Sequence, residues 1–165
     1  MKAKIIKYLK EIILFILLLS IASNVLSLYK SRSLNHEPLQ ISAVHLIDNQ
    51  TYTFPNAKPV LIHFWATWCP TCKLEASNIE LLSKYFEVVT VAVKSGNDDE
   101  IKAWLDENGY SYNVVNDSDA LLASKFNLNV FPTTFIYDKD GNLAFSEVGY
   151  TSTLGLWLRM IWAGY

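Results

Sequence analysis

The chain has 165 residues, of which 51% are hydrophobic, and its 14 basic and 16 acidic residues give a net charge of −2. This length suits one compact domain with a short accessory segment and is too short for two ordinary domains. The charges form no basic stripe, which excludes the usual electrostatic footprint of a nucleic-acid-binding protein. With only two cysteines, a disulfide-dense scaffold is excluded as well.

The N-terminal segment has the pattern of a membrane anchor. Residues 12–29 carry no charge and follow four lysines, whereas Lys30 and Arg32 come after them. The uncharged run is just long enough for a helix that crosses a bilayer, which takes roughly 17–25 residues. The lysines favour an N-in, C-out orientation. We therefore expect residues 1–30 to be an uncleaved signal anchor in the cytoplasmic (inner) membrane, with the rest on the extracytoplasmic, periplasmic side.

A cleaved signal peptide is the alternative interpretation of the same segment. The strongest apolar run, residues 12–19, has the length of a signal-peptide core, and Ser20-Ile21-Ala22 offers a small-x-small cleavage site. Both interpretations export the chain that follows, and an exported pair of cysteines lies where disulfides form and persist. Residues 31–38 are polar and are predicted to be a spacer before a domain over residues 39–165.

The exported part alternates strand-like and helix-like segments in chain order. A hairpin is predicted over residues 41–54. Further strands are predicted over residues 59–67, 87–95, 112–115, 133–138 and 142–150, and helices over residues 69–86, 98–108, about 117–126 and the last segment. Asp117-Ser118-Asp119 is expected to cap the third of these helices. The order predicts an α/β fold with a central mixed β-sheet flanked by helices and preceded by a β-hairpin extension.

The last segment has an apolar repeat of helical period. Leu154, Trp157, Leu158, Ile161 and Trp162 recur at i, i+3, i+4, i+7 and i+8. This spacing places all five side chains on one face of a helix. We expect that face to be part of the domain core.

Cys69 and Cys72, separated by two residues, are compatible with three kinds of site. Structural zinc takes four ligands, and His36, His45 and His63 form no second pair at ligand spacing, although a two-coordinate site for a soft metal stays open. A structural disulfide between residues 69 and 72 would close a very small loop and would restrain the unfolded chain little.

The third kind of site is a redox pair, which accounts best for the surroundings of the cysteines. If a helix begins at Cys69, unpaired backbone N–H groups and the positive end of the helix dipole favour its thiolate. Proline is well tolerated in the first turn of a helix, where Pro70 falls. Cys72 lies one turn further on, within reach of a mixed disulfide at Cys69. Cys69 is therefore the expected nucleophile and Cys72 the resolving thiol.

Two sequence stretches carry a family resemblance. "FWATWCPTC" at a strand-to-helix junction, with "FPTTFIYDKDG" some sixty residues on, resembles the thioredoxin superfamily and, more narrowly, its membrane-tethered TlpA/ResA-like branch. The ending "GYTSTLGLWLRMIWA" is similar to that of the ScsD (suppressor for copper sensitivity D) group. The resemblance covers roughly residues 38–165 and implies a thioredoxin-like fold and a protein-disulfide oxidoreductase.

The resemblance also implies roles for residues around the cysteines. It implies that Pro132 is cis and faces the pair, and that Glu75 places an acidic group near the thiols. Phe131 departs from the small or β-branched residue common in the family before this proline. His63 occupies the position of a buried aspartate in thioredoxin, and an imidazole there is a candidate for moving the Cys72 proton, with a pKa closer to neutrality than that of a carboxylate. Trp68, Pro70 and Phe131 are the expected substrate contacts.

The predicted activity is thiol–disulfide exchange with cysteines of exported proteins, and the expected direction is their reduction. We expect no cofactor beyond the redox-active Cys69–Cys72 disulfide and no resident metal. A membrane electron-transfer partner is expected by analogy. Two alternatives stay open: an oxidase that forms disulfides by the same chemistry, and a non-catalytic copper-binding or chaperone module that uses both thiolates.

Overall fold

The computed structural model describes residues 2–54 and 57–164. A long N-terminal helix precedes a domain in which strands and helices alternate. The elements are α1 (Lys2–Ser31), β1 (Ala43–His45), β2 (Thr51–Thr53), β3 (Val60–Trp65), α2 (Pro70–Ser83), β4 (Glu87–Val93), α3 (Asp98–Asn108), β5 (Asn113–Asp117), α4 (Leu121–Lys125), β6 (Thr133–Tyr137), β7 (Leu143–Val148) and α5 (Thr153–Ala163).

The central sheet has five strands in the order β5-β4-β3-β6-β7. Strand β3 pairs parallel with β4 and antiparallel with β6, so the sheet is mixed. Every residue of β3 and β6 is buried, as expected of central strands with helices or loops over both faces. The hairpin β1–β2 forms a separate two-stranded sheet. This arrangement confirms the predicted α/β fold, including the N-terminal hairpin.

The core consists of one apolar layer on each face of the sheet. Helices α2, α3 and α5 cover one face, and the layer there includes Leu61, Trp65 and both cysteines. Helix α4 and the hairpin lie over the other face, which contains Ile62 and Phe64. Successive side chains of a strand point to opposite faces, so β3 supplies both layers.

Helix α1 is long and apolar enough over Tyr8–Ser31 to cross a membrane, by length and composition, and its side chains there are largely exposed. Its last turns contact β7, the edge strand of the sheet. The Ser27 hydroxyl accepts a hydrogen bond from the Val148 N–H at 3.0 Å and donates to the Glu147 carboxylate at 3.0 Å. Helix α1 therefore covers part of this edge and supplies the hydrogen-bond partner of the Val148 N–H.

The segment predicted as a spacer packs against the domain. Leu34 is buried in the layer that contains α4, and the Asn35 N–H donates to the Phe126 carbonyl at 3.2 Å. Residues 31–38 are polar in composition, but one leucine and one backbone hydrogen bond fasten the start of the segment to the domain. Composition alone did not indicate these contacts.

Helix ends differ from the prediction at two places. Helix α2 ends at Ser83, three residues before Phe86, because the chain turns there towards β4. Helix α4 begins only at Leu121, and among the residues predicted to cap it Asp117 does so from the end of β5. Its carboxylate accepts the N–H groups of Leu122 and Ala123 at 3.0 and 2.9 Å.

The predicted core face of α5 is wrong. The buried residues of α5 are Leu156, Met160 and Ala163, whereas four of the five predicted core residues, Leu154, Leu158, Ile161 and Trp162, are exposed. Only Trp157 packs inward, against the rings of Tyr85 and Phe86 at 4.9 and 5.0 Å. The helix is apolar nearly all round, so its spacing fits two faces, and contacts with the sheet and α2 select the other one.

Two leucine truncations on α5 should separate its faces. Leu156→Ala should lower the free energy of unfolding by about 2–5 kcal/mol, because Leu156 is 0% exposed and its removal leaves a cavity. Leu154→Ala, at a position 68% exposed, should change it by less than about 0.5 kcal/mol. Urea unfolding of both variants measures the difference. Equal losses would contradict the orientation of α5.

Candidate active site

Cys69 and Cys72 form a disulfide at the start of α2, directly after the central strand β3. Their Cα atoms are 5.3 Å apart. Cys69 is the N-cap residue, and its sulfur accepts a hydrogen bond from the Cys72 N–H at 3.2 Å. The following Pro70 has no N–H to leave unpaired and begins the helix. The Cys69 sulfur therefore sits among the free N–H groups of a helix N-terminus, where negative charge is stabilised.

The loop before the disulfide is fixed by residues that follow the neighbouring parallel strand β4. The Thr67 N–H donates to the Ser95 hydroxyl at 3.1 Å, and the Trp68 indole N–H donates to the Lys94 carbonyl at 3.0 Å. Lys94 and Ser95 are not among the site residues predicted from the sequence. A signal was present, because the carboxyl ends of adjacent parallel strands meet at the same edge of a sheet.

The residues predicted to contact substrate lie beside the disulfide. The Trp68 side chain is 58% exposed, and its ring stands edge-on to that of Phe131 with centroids 6.0 Å apart. Pro70 is exposed next to Cys69. The Phe131–Pro132 peptide bond is cis, and the Pro132 carbonyl accepts the Gly149 N–H at 2.8 Å. Trp68 and Phe131 thus form an aromatic rim on one side of the redox pair.

Glu75 is buried one turn beyond Cys72 on the same helix. One carboxylate oxygen accepts the Thr151 N–H at 3.2 Å, and the other has no hydrogen-bond partner among the described residues. Burial raises the pKa of Glu75 to about 8; the nearby charge of Glu147 also raises it, and the hydrogen bond from Thr151 opposes the rise. Glu75 is therefore a carboxyl group that holds its proton at neutral pH.

The charge of Glu147 that acts on Glu75 belongs to a network of polar side chains that was not predicted from the sequence. Arg159 of α5 pairs with Glu147 of β7 at 2.7 Å, and the Ser27 hydroxyl of α1 donates to the other oxygen of Glu147. Both partners of the ion pair are mostly buried. The Glu147 carboxylate, whose charge acts on Glu75, is thus held in place by helix α1 and by the C-terminal helix α5. No local sequence pattern indicates this contact, because the residues come from distant parts of the chain.

His63 is buried on β3, on the same side of the sheet as Leu61 and Trp65 by strand alternation. Its Nδ1 atom lies 2.9 Å from the Thr134 hydroxyl on β6. Burial lowers the pKa of His63 to about 3. The expectation of a pKa closer to neutrality than that of a carboxylate is therefore wrong for this imidazole, because no charged group among the described residues offsets its desolvation. His63 is neutral at physiological pH.

The described residues contain no cluster of metal-ligating side chains. Within residues 2–54 and 57–164, no group of three or more His, Cys, Asp or Glu side chains is placed to hold a metal ion. The Nε2–H of His36 donates to the Ser31 carbonyl, and His45 contacts Thr51. The expectation that the site works without a resident metal or organic cofactor stays a prediction.

Known proteins are similar to this chain in fold and in sequence. The crystal structure of StoA from Bacillus subtilis superposes with a TM-score of 0.66 at 22% sequence identity, covering 76% of this chain and 98% of that one. This likeness confirms the thioredoxin-like fold. A "Thioredoxin-like protein" of Haemophilus influenzae is 34% identical over 134 residues, which cover 78% of this chain and 80% of the relative.

A second relative from Haemophilus influenzae carries a name that describes its chemistry. "Thiol:disulfide interchange protein DsbE" is 36% identical over 110 residues, or 63% of this chain, and the chain spans 60% of that relative's length. The name agrees with the enzyme class predicted from the motif, a protein-disulfide oxidoreductase of the thioredoxin type. The model of the AhpC/TSA family matches residues 39–146, well over half of the chain. The chain therefore belongs to the thioredoxin-like AhpC/TSA family.

Proposed function

We propose that this chain is a membrane-tethered, extracytoplasmic thiol–disulfide oxidoreductase in which Cys69 attacks and Cys72 resolves. The observation that carries the proposal is the position of the disulfide: Cys69 caps α2 and its sulfur receives the Cys72 N–H. Residues 1–30 serve as the anchor, residues 31–38 connect it to the domain, and residues 39–165 form the catalytic domain. The anchor is a single pass through the cytoplasmic (inner) membrane.

In the reducing direction the reaction has two exchange steps. The Cys69 thiolate attacks one sulfur of a substrate disulfide. A mixed disulfide forms between Cys69 and this sulfur, and the other substrate sulfur leaves as a thiolate. Cys72 then loses its proton and attacks the Cys69 sulfur. The substrate sulfur that was bound to Cys69 leaves as a thiolate, and the Cys69–Cys72 disulfide forms. Two electrons have then passed from the enzyme to the substrate.

Glu75 is the group to which we assign the Cys72 proton. Both residues are buried on α2 and lie three positions apart, one helical turn. Proton transfer is most effective when donor and acceptor have similar pKa values, and an ordinary thiol titrates at about 8.5, close to the value of about 8 for Glu75 in the disulfide form. This step requires the Glu75 carboxylate to be ionised in the dithiol form: it takes up the Cys72 proton as the disulfide forms, holds it while the disulfide exists and returns it when Cys72 is reduced. His63, neutral and bonded to Thr134, is the weaker candidate.

Substrate contacts are assigned to the exposed residues beside Cys69. The rim of Trp68 and Phe131 presents aromatic surface to an apolar segment of the partner protein. Pro70 follows Cys69 along the chain, and we assign Pro132, which follows Phe131 through a cis bond, to the same substrate-facing side of the pair. Phe131 is the residue through which this chain would select substrates differently from relatives that have a smaller side chain there.

The favoured direction is reduction of cysteines in exported proteins, with electrons supplied by a membrane partner. The resemblance to the TlpA/ResA-like branch and to its ScsD group supports this direction. It points to copper-exposed protein thiols or to apocytochrome cysteines, and so to copper tolerance or cytochrome c maturation. The alternative is an oxidase with the same two cysteines. The rival from another class is a copper-binding or chaperone module.

Redox-state trapping in membranes, combined with an insulin-reduction assay, tests the proposal. We expect full-length protein to be recovered largely as the dithiol and to reduce insulin catalytically when a reductant is supplied. Recovery as the disulfide, with catalytic oxidation of reduced substrates, would make the protein an oxidase. Tight stoichiometric copper binding, together with turnover that survives Cys72→Ser, would favour the copper module.

A further inference from the structure

A cavity of about 500 Å³ lies between the end of α1 and the loop that precedes β6. We call it the α1 cavity. One of its walls contains Tyr29, Lys30 and Arg32, and the opposite wall contains Val130 and Thr133. Its volume falls within the range of about 300–1,000 Å³ that is usual for ligand sites. The α1 cavity takes no part in the two exchange steps described above.

Both walls of the α1 cavity are held by the folded domain. The Thr133 hydroxyl donates to the Val130 carbonyl at 2.8 Å, which fixes the loop before β6. The turn after α1 is fixed by buried Leu34 and by the hydrogen bond from the Asn35 N–H to the Phe126 carbonyl. The two walls are therefore preformed, as they are in most ligand sites.

Strand pairing places the α1 cavity at the same end of the sheet as the disulfide. Thr133 of β6 pairs with Phe64, which is one residue before the end of β3. Val148 of β7, which also lines the cavity, pairs with Thr133. The disulfide follows this same end of β3 at the start of α2.

Phe131 lies between the disulfide and the α1 cavity. It packs against both core layers, the one that contains the two cysteines and the one that contains Leu34 of the cavity. Its ring contacts that of Trp68, the residue before Cys69, with the centroids 6.0 Å apart. Val130, the residue before Phe131, lines the cavity. A polypeptide bound at Cys69 therefore reaches the cavity by passing over the aromatic rim.

The end of α1 supplies cationic and aromatic side chains to the cavity. Lys30 and Arg32 are exposed, and the Arg32 guanidinium lies 6.0 Å from the centre of the Tyr29 ring. Within the part of the chain that the structure describes, neither Lys30 nor Arg32 forms an ion pair with a carboxylate. Glu147 of β7 is already paired with Arg159 at 2.7 Å. The α1 cavity thus carries two positive charges that are available to a carboxylate of a bound partner.

We propose that the α1 cavity is a second contact site for the substrate polypeptide, and that it takes an acidic side chain close in sequence to the cysteine that pairs with Cys69. The occupant is an extended segment of an exported protein, because such a segment must lie beside the redox pair during exchange. Three or four extended residues span roughly 10–13 Å, which exceeds the 6.0 Å between the ring centroids of Trp68 and Phe131. This inference rests on the proposed exchange at Cys69.

The mixed disulfide makes a weak charge contact effective. An exposed ion pair between two flexible side chains contributes little by itself. Once a substrate is joined to Cys69, however, its neighbouring residues are held near Lys30 and Arg32 at a high effective concentration. Opposite charges also accelerate the encounter before the disulfide forms. The end of α1 would thus select among substrates, while Cys69 and Cys72 perform the exchange.

Three fluorogenic disulfide-linked peptides that differ only in charge test the contact, with full-length protein in phosphatidylcholine nanodiscs. Glutamate, glutamine or lysine occupies the third and fourth positions on both sides of the cysteine. At low ionic strength we expect kcat/KM to be about 5-fold higher or more for the glutamate peptide than for the glutamine peptide, because two exposed ion pairs each add a small factor. The lysine peptide should react more slowly than the glutamine peptide. Salt at about 0.5 M should weaken both differences by screening.

Paired substitutions locate the source of the preference. Lys30→Gln combined with Arg32→Gln should abolish it, and Lys30→Glu combined with Arg32→Glu should make the lysine peptide the better substrate. Lys58→Gln combined with Lys139→Gln is the matched control, because it removes the same charge at the opposite end of β3 and β6 and should keep the wild-type preference. Comparison of ratios between variants cancels any effect of charge on the reactivity of the peptides themselves.

The outcomes separate this contact from the exchange reaction. Equal turnover of the three peptides by the wild type leaves the exchange in place and overturns the contact. Absence of turnover of every peptide overturns the proposed exchange and this inference with it. Loss of the preference in the Lys58 and Lys139 variant would show an effect of overall charge and would also overturn the contact. A preference that is present in phosphate-free detergent micelles but absent in nanodiscs would assign Lys30 and Arg32 to lipid phosphates instead.

Discussion

Cys69→Ser should abolish the reduction of protein disulfides, with turnover falling by about 1,000-fold or more, because the variant has no sulfur at the helix N-terminus. Cys72→Ser should lose turnover to a similar extent for a different reason. It still attacks, but it has no resolving thiol to release the substrate. Turnover of insulin or of a disulfide-linked fluorescent peptide by full-length protein measures both losses.

The two variants act as controls for each other. Cys72→Ser should accumulate a covalent adduct with substrate, whereas Cys69→Ser should not, although both lack the disulfide and so share any loss of stability. Appreciable turnover by Cys69→Ser would show that the attacking group lies elsewhere.

Glu75→Gln should slow turnover at pH 7 by about 100-fold, because the amide keeps the shape of the side chain but cannot take up the Cys72 proton. The amide oxygen can still accept the Thr151 N–H that now reaches the carboxylate. The pH at which Cys72 ionises in the reduced protein, followed by thiolate absorbance, should shift in this variant. His63→Leu should leave that titration in place. If the titration shifts in His63→Leu and not in Glu75→Gln, the proton belongs to His63.

The same substitution should change how stability depends on pH in the oxidised protein. Glu75 has a pKa of about 8 in the folded state against an ordinary 4.5, so between these values the folded protein holds a proton that the unfolded chain releases. The free energy of unfolding therefore falls as pH rises through this window, by up to about 3 kcal/mol between pH 4.5 and 7. Glu75→Gln should remove this fall.

Glu80→Gln, on the same helix, is the matched control for stability. Glu80 is bonded to the Ser111 N–H and hydroxyl at 2.8 and 3.1 Å and pairs with Lys84. Its replacement should lower the free energy of unfolding by about 1 kcal/mol. Urea unfolding at several pH values between 4.5 and 8 measures both variants. A pH dependence in Glu75→Gln equal to that of the wild type would contradict the buried, protonated carboxyl.

The sequence was sufficient to predict the features whose physical cause lies in neighbouring residues. The run from Val60 to Trp65 is apolar at every position except His63, which predicts a strand covered on both faces, and the structure places it at the centre of the sheet. Cys69 and Pro70 are adjacent to that strand, so the position of the redox pair at the start of a helix followed from a few neighbouring residues. Helix α3 was also predictable from neighbouring residues, from Asp98 at its start to Gly109, which adopts the left-handed conformation that ends it.

Features that depend on contacts between distant residues could not be predicted from the sequence. The spacing of apolar residues on α5 fits two faces, and the choice between Leu154 and Leu156 is made by packing against α2 and the sheet. The pKa of Glu75 depends on burial and on Thr151, which is 76 residues away. The pKa of His63 likewise depends on how completely the assembled layers exclude water.

Mapping of the mixed disulfide by mass spectrometry in Cys72→Ser tests the central claim most directly. Full-length variant protein is incubated with a disulfide-containing exported protein, free thiols are alkylated, and the cross-linked peptides are identified. We predict that every adduct joins Cys69 to a substrate cysteine and that Cys69→Ser gives none. An adduct through Cys72 in Cys69→Ser, with no adduct in Cys72→Ser, would contradict the assignment of Cys69 as the nucleophile.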